Sequence, residues 1–281
     1  IKPFNLYNLK IIMLEINKIY NMDCIEGMKM IPDGSIDLTV TSPPYDNLRR
    51  YNWFSWDFEW VVKELYRITK QGGVVVWVVG DQTIKGSETG TSFKQALYFK
   101  EIGFNLHDTM IWEKTTPVPQ FKTKRYTQSF EYMFIFSKWK PNTCNYLEEQ
   151  CKTAGSKKNR NNKWAFSMQS ADKPRNEITV TKDTKILNNV WKYPVWWHKD
   201  LGHPAIFPEK LAEDHILSWS NEWDIVLDPF MWSWTTAKMA LINNRNYIWF
   251  ELSQEYVDIA NKRIQDRLLE KQSLLYKQML C

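Results

Sequence analysis

Ile36-Asp37-Leu38-Thr39-Val40-Thr41-Ser42-Pro43-Pro44-Tyr45 is a run of strand length that ends in a hydroxyl, two prolines and an aromatic ring. Two consecutive prolines carry no N–H and hold their backbone in a narrow range, so the strand stops at a fixed tip whose carbonyls are free acceptors. Upstream, Lys18 to Met22 reads as a short strand, and Cys24 to Met30 as a helix closed by Pro32-Asp33-Gly34. Downstream, Phe58 to Thr69 carries Val61, Val62, Leu65 and Ile68 at helical spacing, with Gly72-Gly73 as the stop. Val74 to Val79 reads as a buried strand and Ser92 to Ile102 as a helix closed by Gly103. Asp108 to Trp112 and Tyr132 to Phe136 read as antiparallel strands. Residues 140–190 are polar and without period, which marks a functional loop or an inserted lobe. Alternation resumes with a helix from Pro208 to Trp219, a strand from Asp224 to Leu227 and a helix from Thr235 to Ile242. A strand from Tyr247 to Glu251 and a long helix from Ser253 to Leu269 complete it. Such alternation predicts an α/β fold with a doubly wound, mostly parallel sheet.

Bulk properties narrow the class. The 281 residues suffice for one large α/β domain with an insertion, and 43 % hydrophobic with 25 % charged residues is the composition of a globular protein. The longest apolar run, Val74 to Val79, is far short of the roughly 20 residues of a membrane-spanning helix. No charged-then-apolar leader opens the chain, Met13 reads as the natural start, and the expected location is the cytoplasm. Cys24, Cys144, Cys151 and Cys281 have no paired spacing and read as free thiols. His107, His198, His203 and His215 form no cluster with acidic or cysteine partners, so no metal is expected. Of the net charge of +5, residues 114–199 hold 17 Lys and Arg against 6 Asp and Glu, which is +11, leaving −6 for the rest. Charge gathered in one segment is the footprint of a phosphate-binding surface, although a solvated basic loop has the same composition.

The tip at residues 41–45 suits one chemical problem. An exocyclic base amine is a poor nucleophile because its lone pair is delocalised into the ring. Acceptors that draw both amine hydrogens out of the base plane localise that pair, and the Ser42 hydroxyl and Pro43 carbonyl are candidates. Tyr45 offers a flat ring on which a base swung out of a duplex can stack, and Pro44 fixes its approach. Carboxyl ends of strands in open α/β sheets are where ligands bind. A Pro-Pro turn that merely ends a strand would look the same in isolation.

The second signal lies late in the chain. Asp224-Ile225-Val226-Leu227-Asp228-Pro229-Phe230 ends in an acid and leads through Met231-Trp232-Ser233-Trp234 to Thr235-Thr236, and Tyr247-Ile248-Trp249-Phe250-Glu251 ends in a second acid. A carboxylate at that place holds ribose hydroxyls in nucleotide-type sites. With His203-Pro204-Ala205-Ile206-Phe207-Pro208 and Asp23-Cys24, these segments resemble the amino-methyltransferase family of DNA methylases in its permuted order. TSPPY is similar to the family's Pro-Pro-Tyr motif and DPFMWSWTT to its DPFxGxGTT cofactor loop. HPAIFPEKL is similar to the segment that holds the methionine part of the cofactor, and Asp23-Cys24 to the motif near its adenine. The resemblance, from Met13 to about Arg267, implies a Rossmann-like methyltransferase that uses S-adenosylmethionine. Its catalytic half would span 13–113, a target-recognition region with flanking strands 114–200, and the cofactor half 201–270. Ser42, Pro43, Pro44 and Tyr45 would be catalytic. Asp23, Cys24, Thr41, His203, Pro204, Phe207, Asp228, Pro229, Phe230, Ser233, Thr235, Thr236 and Glu251 would bind the cofactor. Ser at the head of the tip leans the reading to cytosine N4 over adenine N6. Protein-glutamine or RNA methylation, which also uses a Pro-Pro-Tyr loop, fits the motif order and basic middle less well.

Double-stranded DNA is the implied partner; a cognate restriction endonuclease and a second copy of the chain are partners the resemblance admits. Arg49, Arg50, Lys122, Lys124, Arg125, Lys157, Lys158, Arg160 and Lys163 are the candidate DNA contacts, of the kind that touch phosphates more often than bases. For any one of them a solvated side chain is the simpler expectation.

Tryptophan breaks the pattern. Trp232 and Trp234 stand where the family loop has glycines, which let the backbone turn sharply beside the cofactor. Trp249, Trp223, Trp53, Trp139, Trp196 and Trp197 also fall where glycine is the natural residue, whereas Trp56, Trp60, Trp77 and Trp112 suit apolar contexts. A UGA codon read as glycine in some bacteria and as tryptophan in others would produce this scatter. With real indoles at 232 and 234 the expectation is a blocked cofactor pocket and a non-catalytic DNA-binding homologue.

Overall fold

The computed structural model describes residues 14–44, 57–117, 119, 124–159, 178–180, 182–195, 208–230, 235–262 and 264–265; for 157–159 and 178–180 it describes the backbone. In chain order these form β1 (Lys18–Asn21), α1 (Cys24–Lys29), β2 (Ile36–Thr41), α2 (Phe58–Ile68), β3 (Thr69–Val79), β4 (Thr83–Ile84), β5 (Ser87–Glu88), α3 (Thr91–Ile102), β6 (Asn105–Lys114) and β7 (Phe130–Ser137). There follow β8 (Glu148–Gln150), β9 (Lys157–Asn159), β10 (Ile178–Val180), β11 (Thr184–Ile186), β12 (Val190–Tyr193), α4 (Glu209–Trp219), β13 (Ile225–Asp228), α5 (Thr235–Ile242) and β14 (Asn246–Glu251). Residues 254–262 are helical again.

Eight strands make one sheet in the order β1-β14-β13-β2-β3-β7-β6-β12. Every pairing is parallel except those of β7, which runs against both β3 and β6. From β2 the chain winds through α2 to β3 on one side; from β13 it winds through α5 to β14 on the other. The winding therefore reverses between β2 and β13, which makes their carboxyl ends the topological switch point of the sheet. These strands are tied at their starts as well: the Asp37 carboxylate accepts from the Ile225 N–H at 2.9 Å and pairs with Lys70 at 2.6 Å.

Both faces are covered, as an all but parallel sheet requires. On β3, Val75, Trp77 and Val79 join a cluster with Val61, Val62, Leu65 and Ile68 of α2, Phe99 of α3, and Phe134 and Phe136 of β7. Phe99 stacks on Phe136 with ring centres 4.1 Å apart, and Trp77 meets Phe99 edge-on at 5.1 Å. On the other side α4 packs against α5 and β2, burying Leu211, Ala212, Ile216, Ala237 and Ala240.

Two sequence expectations change. The helix expected to end at Thr69 and stop at Gly72-Gly73 ends at Ile68, because Thr69 is already extended (φ −69°, ψ 131°) and opens β3. Both glycines lie inside that strand. Gly72 adopts φ +81°, and a Cβ there would lie 2.2 Å from the Asn142 side chain, so the position serves a close approach of two chain segments. The aperiodic stretch 140–190 contains strands too short to leave a period. Tyr146–Asn188 forms a separate compact unit in which β8 pairs with β11 and β9 with β10, both antiparallel. Among the described residues no helix is long and apolar enough to cross a membrane.

Phe99 is fully buried at the centre of the aromatic cluster. Phe99→Ala is expected to lower the unfolding free energy by about 3–5 kcal/mol, read from urea denaturation at an unchanged m-value.

Candidate functional site

Four adjacent parallel strands deliver polar residues to one edge. β2 ends at Thr41 and continues into Ser42-Pro43-Pro44, β13 beside it ends at Asp228, and β14 ends at Glu251. β1 ends at Asn21, in register with Glu251. The two stretches 187 residues apart in sequence meet directly: Thr41 Oγ1 donates to Asp228 Oδ1 at 2.7 Å. The Phe230 N–H donates to the same oxygen at 3.1 Å, and Thr236 Oγ1 donates to Oδ2 at 3.0 Å. Asp228 is thus the knot between the tip, the loop that follows β13, and the first turn of α5.

Burial pushes the Asp228 carboxyl up to about 7, with the Glu251 charge acting the same way and the hydrogen bonds from Thr41, Phe230 and Thr236 opposing. Glu251 is raised above the ordinary carboxylate range, chiefly by burial. Its Oε1 accepts from the Ser253 N–H at 2.7 Å, and among the described residues no cation pairs with it. Asn21 Nδ2 donates to the carbonyls of Glu251 and Leu252 at 3.1 and 3.0 Å, fixing the turn after β14. Next to this, Asp23 caps α1 by accepting from the Ile25 N–H at 2.8 Å. Burial, aided by Asp23, pushes the Cys24 thiol up to about 12, so it is an inert apolar group and no thiolate nucleophile.

The edge of the sheet therefore brings together Thr41, Ser42, Pro43 and Pro44 with Asp228, Pro229, Phe230, Thr235 and Thr236, and places Glu251 at the end of the next strand and Asp23 and Cys24 at the start of α1, just after β1. Tyr45, Arg49, Arg50, Lys122, Arg160, Lys163, His203, Pro204, Phe207, Ser233, Trp232 and Trp234 lie outside the described residues. So do the side chains of Lys157 and Lys158, whose backbone forms β9. Lys124 is exposed, and Arg125 pairs with Glu88 of β5 at 3.3 Å and donates to the Gly86 carbonyl.

Several contributors escaped the sequence reading. Trp77 donates from Nε1 to Gln95 at 2.9 Å and presents its ring to Phe230 at 6.4 Å, so a buried pair backs the loop after β13. Asp81 stands two residues beyond β3, near the place that Asp228 holds at the end of β13. Its carboxylate accepts from the Ser92 N–H at 3.0 Å and from the Ser92 hydroxyl, supplying α3 with the anionic cap that Gly90 has no side chain to give. The signal was present: an acid shortly after a buried strand, close to the pattern noted at Asp228 and Glu251, which end theirs.

Asp228 also sets a pH dependence. Its folded value of about 7 lies above the ordinary 3.8, so its neutral form is favoured by folding. The associated stability is complete below about pH 4 and is lost as pH rises through about 7. Unfolding free energy is expected to fall by an amount on the order of 1–4 kcal/mol over this interval, and Asp228→Asn is expected to flatten that segment of the profile. Denaturant titrations of both proteins at pH 5 and pH 8 check this.

Comparison with known proteins agrees with this fold. The sequence model of a DNA methylase family matches residues 36–262. The orphan methyltransferase M.BamHII of Bacillus amyloliquefaciens is 55 % identical over 256 residues, covering 85 % of this chain and 92 % of its own. The type II methyltransferase M.HinfI of Haemophilus influenzae is 30 % identical over 275 residues, covering 89 % and 69 %. Among solved structures, the cytosine-N4-specific PvuII DNA methyltransferase superposes with a TM-score of 0.62 at 19 % identity, covering 90 % of this chain and 92 % of that one. The TTHA0409 modification methylase of Thermus thermophilus, complexed with S-adenosyl-L-methionine, gives a TM-score of 0.58 at 24 % identity, covering 88 % and 93 %. A switch point flanked by a Pro-Pro tip and two acidic strand ends, matched along most of its length by these methylases, leads to one conclusion: the chain belongs to the N6/N4 DNA methylase family.

Proposed function

We propose that this chain transfers a methyl group from S-adenosylmethionine to the exocyclic amine of a base flipped out of double-stranded DNA, with cytosine N4 favoured over adenine N6. The observation that carries the proposal is the 2.7 Å hydrogen bond from Thr41 to Asp228, which holds the Ser42-Pro43-Pro44 tip against the loop that begins at Asp228. Base and cofactor must meet in line for methyl transfer, and holding both binding elements at fixed separation supplies much of the rate.

The residues present fit the cofactor. Glu251 is a partly buried carboxylate at a strand end with no cation against it among the described residues, which suits ribose hydroxyls. When bound, S-adenosylmethionine supplies an electrophilic methyl group. Ser42 and the Pro43 carbonyl draw the amine hydrogens aside and localise the nitrogen lone pair, Pro44 sets the direction of the tip, and Tyr45 stacks on the extruded base. The new bond forms between the amine nitrogen and the methyl carbon as the sulfur–carbon bond breaks, and the amine sheds its proton afterwards, so no strong base is required. Asp23, Cys24, His203, Pro204, Phe207, Pro229, Phe230, Ser233 and Thr235 complete the cofactor pocket in this reading. Thr41 and Thr236 act at one remove, because both hydroxyls are turned onto Asp228. Residues 114–200, including the compact unit Tyr146–Asn188, form the target-recognition region, with its lysines and arginines together with Arg49 and Arg50 on phosphates. A cytoplasmic location is part of the same reading; type II methyltransferases among the relatives favour a cognate nuclease, and the 55 % identical orphan methyltransferase favours none.

The test is methylation of plasmid DNA by the Trp232→Gly/Trp234→Gly chain, with the nucleosides analysed by mass spectrometry. N4-methylcytosine is expected. N6-methyladenine would overturn the choice of base, and unmodified DNA would overturn the reaction. In the same background Glu251→Gln is expected to raise the KM for the cofactor about tenfold while kcat stays within a factor of a few, the signature of a lost charge-assisted hydrogen bond in binding.

A further inference from the structure

Backbone dihedrals set two tryptophans apart from the other described ones. Among the described non-glycine residues, five have positive φ: Asn17, Lys85, Trp139, Trp223 and Asn244. Asparagine tolerates this region and Lys85 sits in the two-residue turn between β4 and β5, but for a bulky side chain it is an outlier. Trp139 (φ +73°) and Trp223 (φ +71°) fall among the values of the chain's own left-handed glycines, such as Gly72 at +81° and Gly155 at +71°. Both indoles are exposed, at 69 % and 70 %, so packing of the side chain does not compensate the strain.

What fixes the conformation is the main chain. The Trp139 carbonyl accepts from Ser137 Oγ at 2.6 Å and Asn105 Nδ2 at 3.1 Å. The Trp223 N–H donates to the Asn244 carbonyl at 2.8 Å, and its own carbonyl accepts from Asn246 Nδ2 at 2.6 Å. Each turn closes without any use of the indole. The contrast with other tryptophans is sharp. Trp77 Nε1 bonds Gln95, Trp112 Nε1 bonds the Tyr193 carbonyl at 3.1 Å, and the Trp60 ring carries the Lys29 ammonium at 5.5 Å; none has positive φ. Trp249 lacks the backbone signature. It lies in β14 with an indole N–H that has no partner among the described residues, a feature it shares with Trp191 and Trp219, so it discriminates nothing.

We propose that the natural residues at 139 and 223 are glycine, encoded by UGA, and that the same decoding makes 232 and 234 glycine in the functional protein. Every UGA in one gene is read alike, so with UGA at 232 and 234 as well, one decoding rule covers the two turns and the cofactor loop. Composition agrees: 10 glycines and 15 tryptophans in 281 residues put glycine at about half its usual share of roughly 7 %. The part concerning 139 and 223 rests on backbone geometry alone. The part concerning 232 and 234 rests also on the methyl-transfer reading, because it assigns those glycines the close backbone approach to S-adenosylmethionine.

The gene is the first test. UGA at 139, 223, 232 and 234 with UGG at 60, 77 and 112 is expected; UGG at either 139 or 223 overturns the assignment. The protein gives a second. Trp139→Gly and Trp223→Gly are each expected to raise the folding equilibrium constant about threefold to tenfold, the relief of left-handed strain less the entropy of glycine. Trp60→Gly, within α2, lowers it. Destabilisation by both turn substitutions would overturn the proposal. The two readings fail separately: UGA codons with a restored chain that methylates nothing would remove the enzyme and keep the glycines, and UGG codons with an active chain would do the reverse.

Discussion

The hydrogen bond between Thr41 and Asp228 joins the early and late parts of the chain at the topological switch point of the sheet. β2 and β13 are neighbours with opposite windings, and register pairs along them are few, Val226 with Leu38 and Leu227 with Thr39. The polar ties at either end, Asp37 to the Ile225 N–H and Thr41 to Asp228, therefore fix how far each strand reaches past the sheet edge. Everything on that edge inherits its position from them: the Pro-Pro tip on one side, and on the other the loop toward α5, whose Thr236 bonds the same carboxylate.

A carboxylate in that place is costly. Without its three donors, a buried Asp228 would stay neutral through the physiological range; with them it sits near its midpoint there. The arrangement holds a carboxyl where strand geometry needs an acceptor, at the expense of stability at higher pH. Glu251 is less deeply buried on the next strand and has fewer protein donors, which leaves it the more available of the two for a ligand's hydroxyls.

Strand–helix alternation was legible because buried runs such as Val74 to Val79 and apolar faces such as Val61, Val62, Leu65 and Ile68 follow directly from burial, and every strand they announced is in the sheet. Boundaries were less legible where a residue type has two uses. Gly72-Gly73 reads as a helix stop, yet serves a close chain approach inside β3. The strands of the Tyr146–Asn188 unit were invisible because three-residue pairs leave no alternation to detect. Of the site, the acids at strand ends and the tip were visible as types at positions. Their hydrogen bonds were not: nothing in the sequence says that Thr41 and Thr236 would turn toward Asp228, or that Trp77 and Gln95 would back Phe230. Sequence also raised the suspicion about tryptophan, but backbone dihedrals and exposure are what separate Trp139 and Trp223 from the indoles that pack well.

In the proposed reaction, the tip after β2 and the acids ending β13 and β14 border a single cleft for methyl donor and base. A crystal structure of the Trp232→Gly/Trp234→Gly chain with S-adenosylmethionine measures it directly. The expected result is ribose hydroxyls within hydrogen-bonding distance of Glu251 and the methyl-bearing sulfur facing the Ser42-Pro43 tip. Cofactor seated away from that edge, or with its sulfur turned from Ser42 and Pro43, would contradict it.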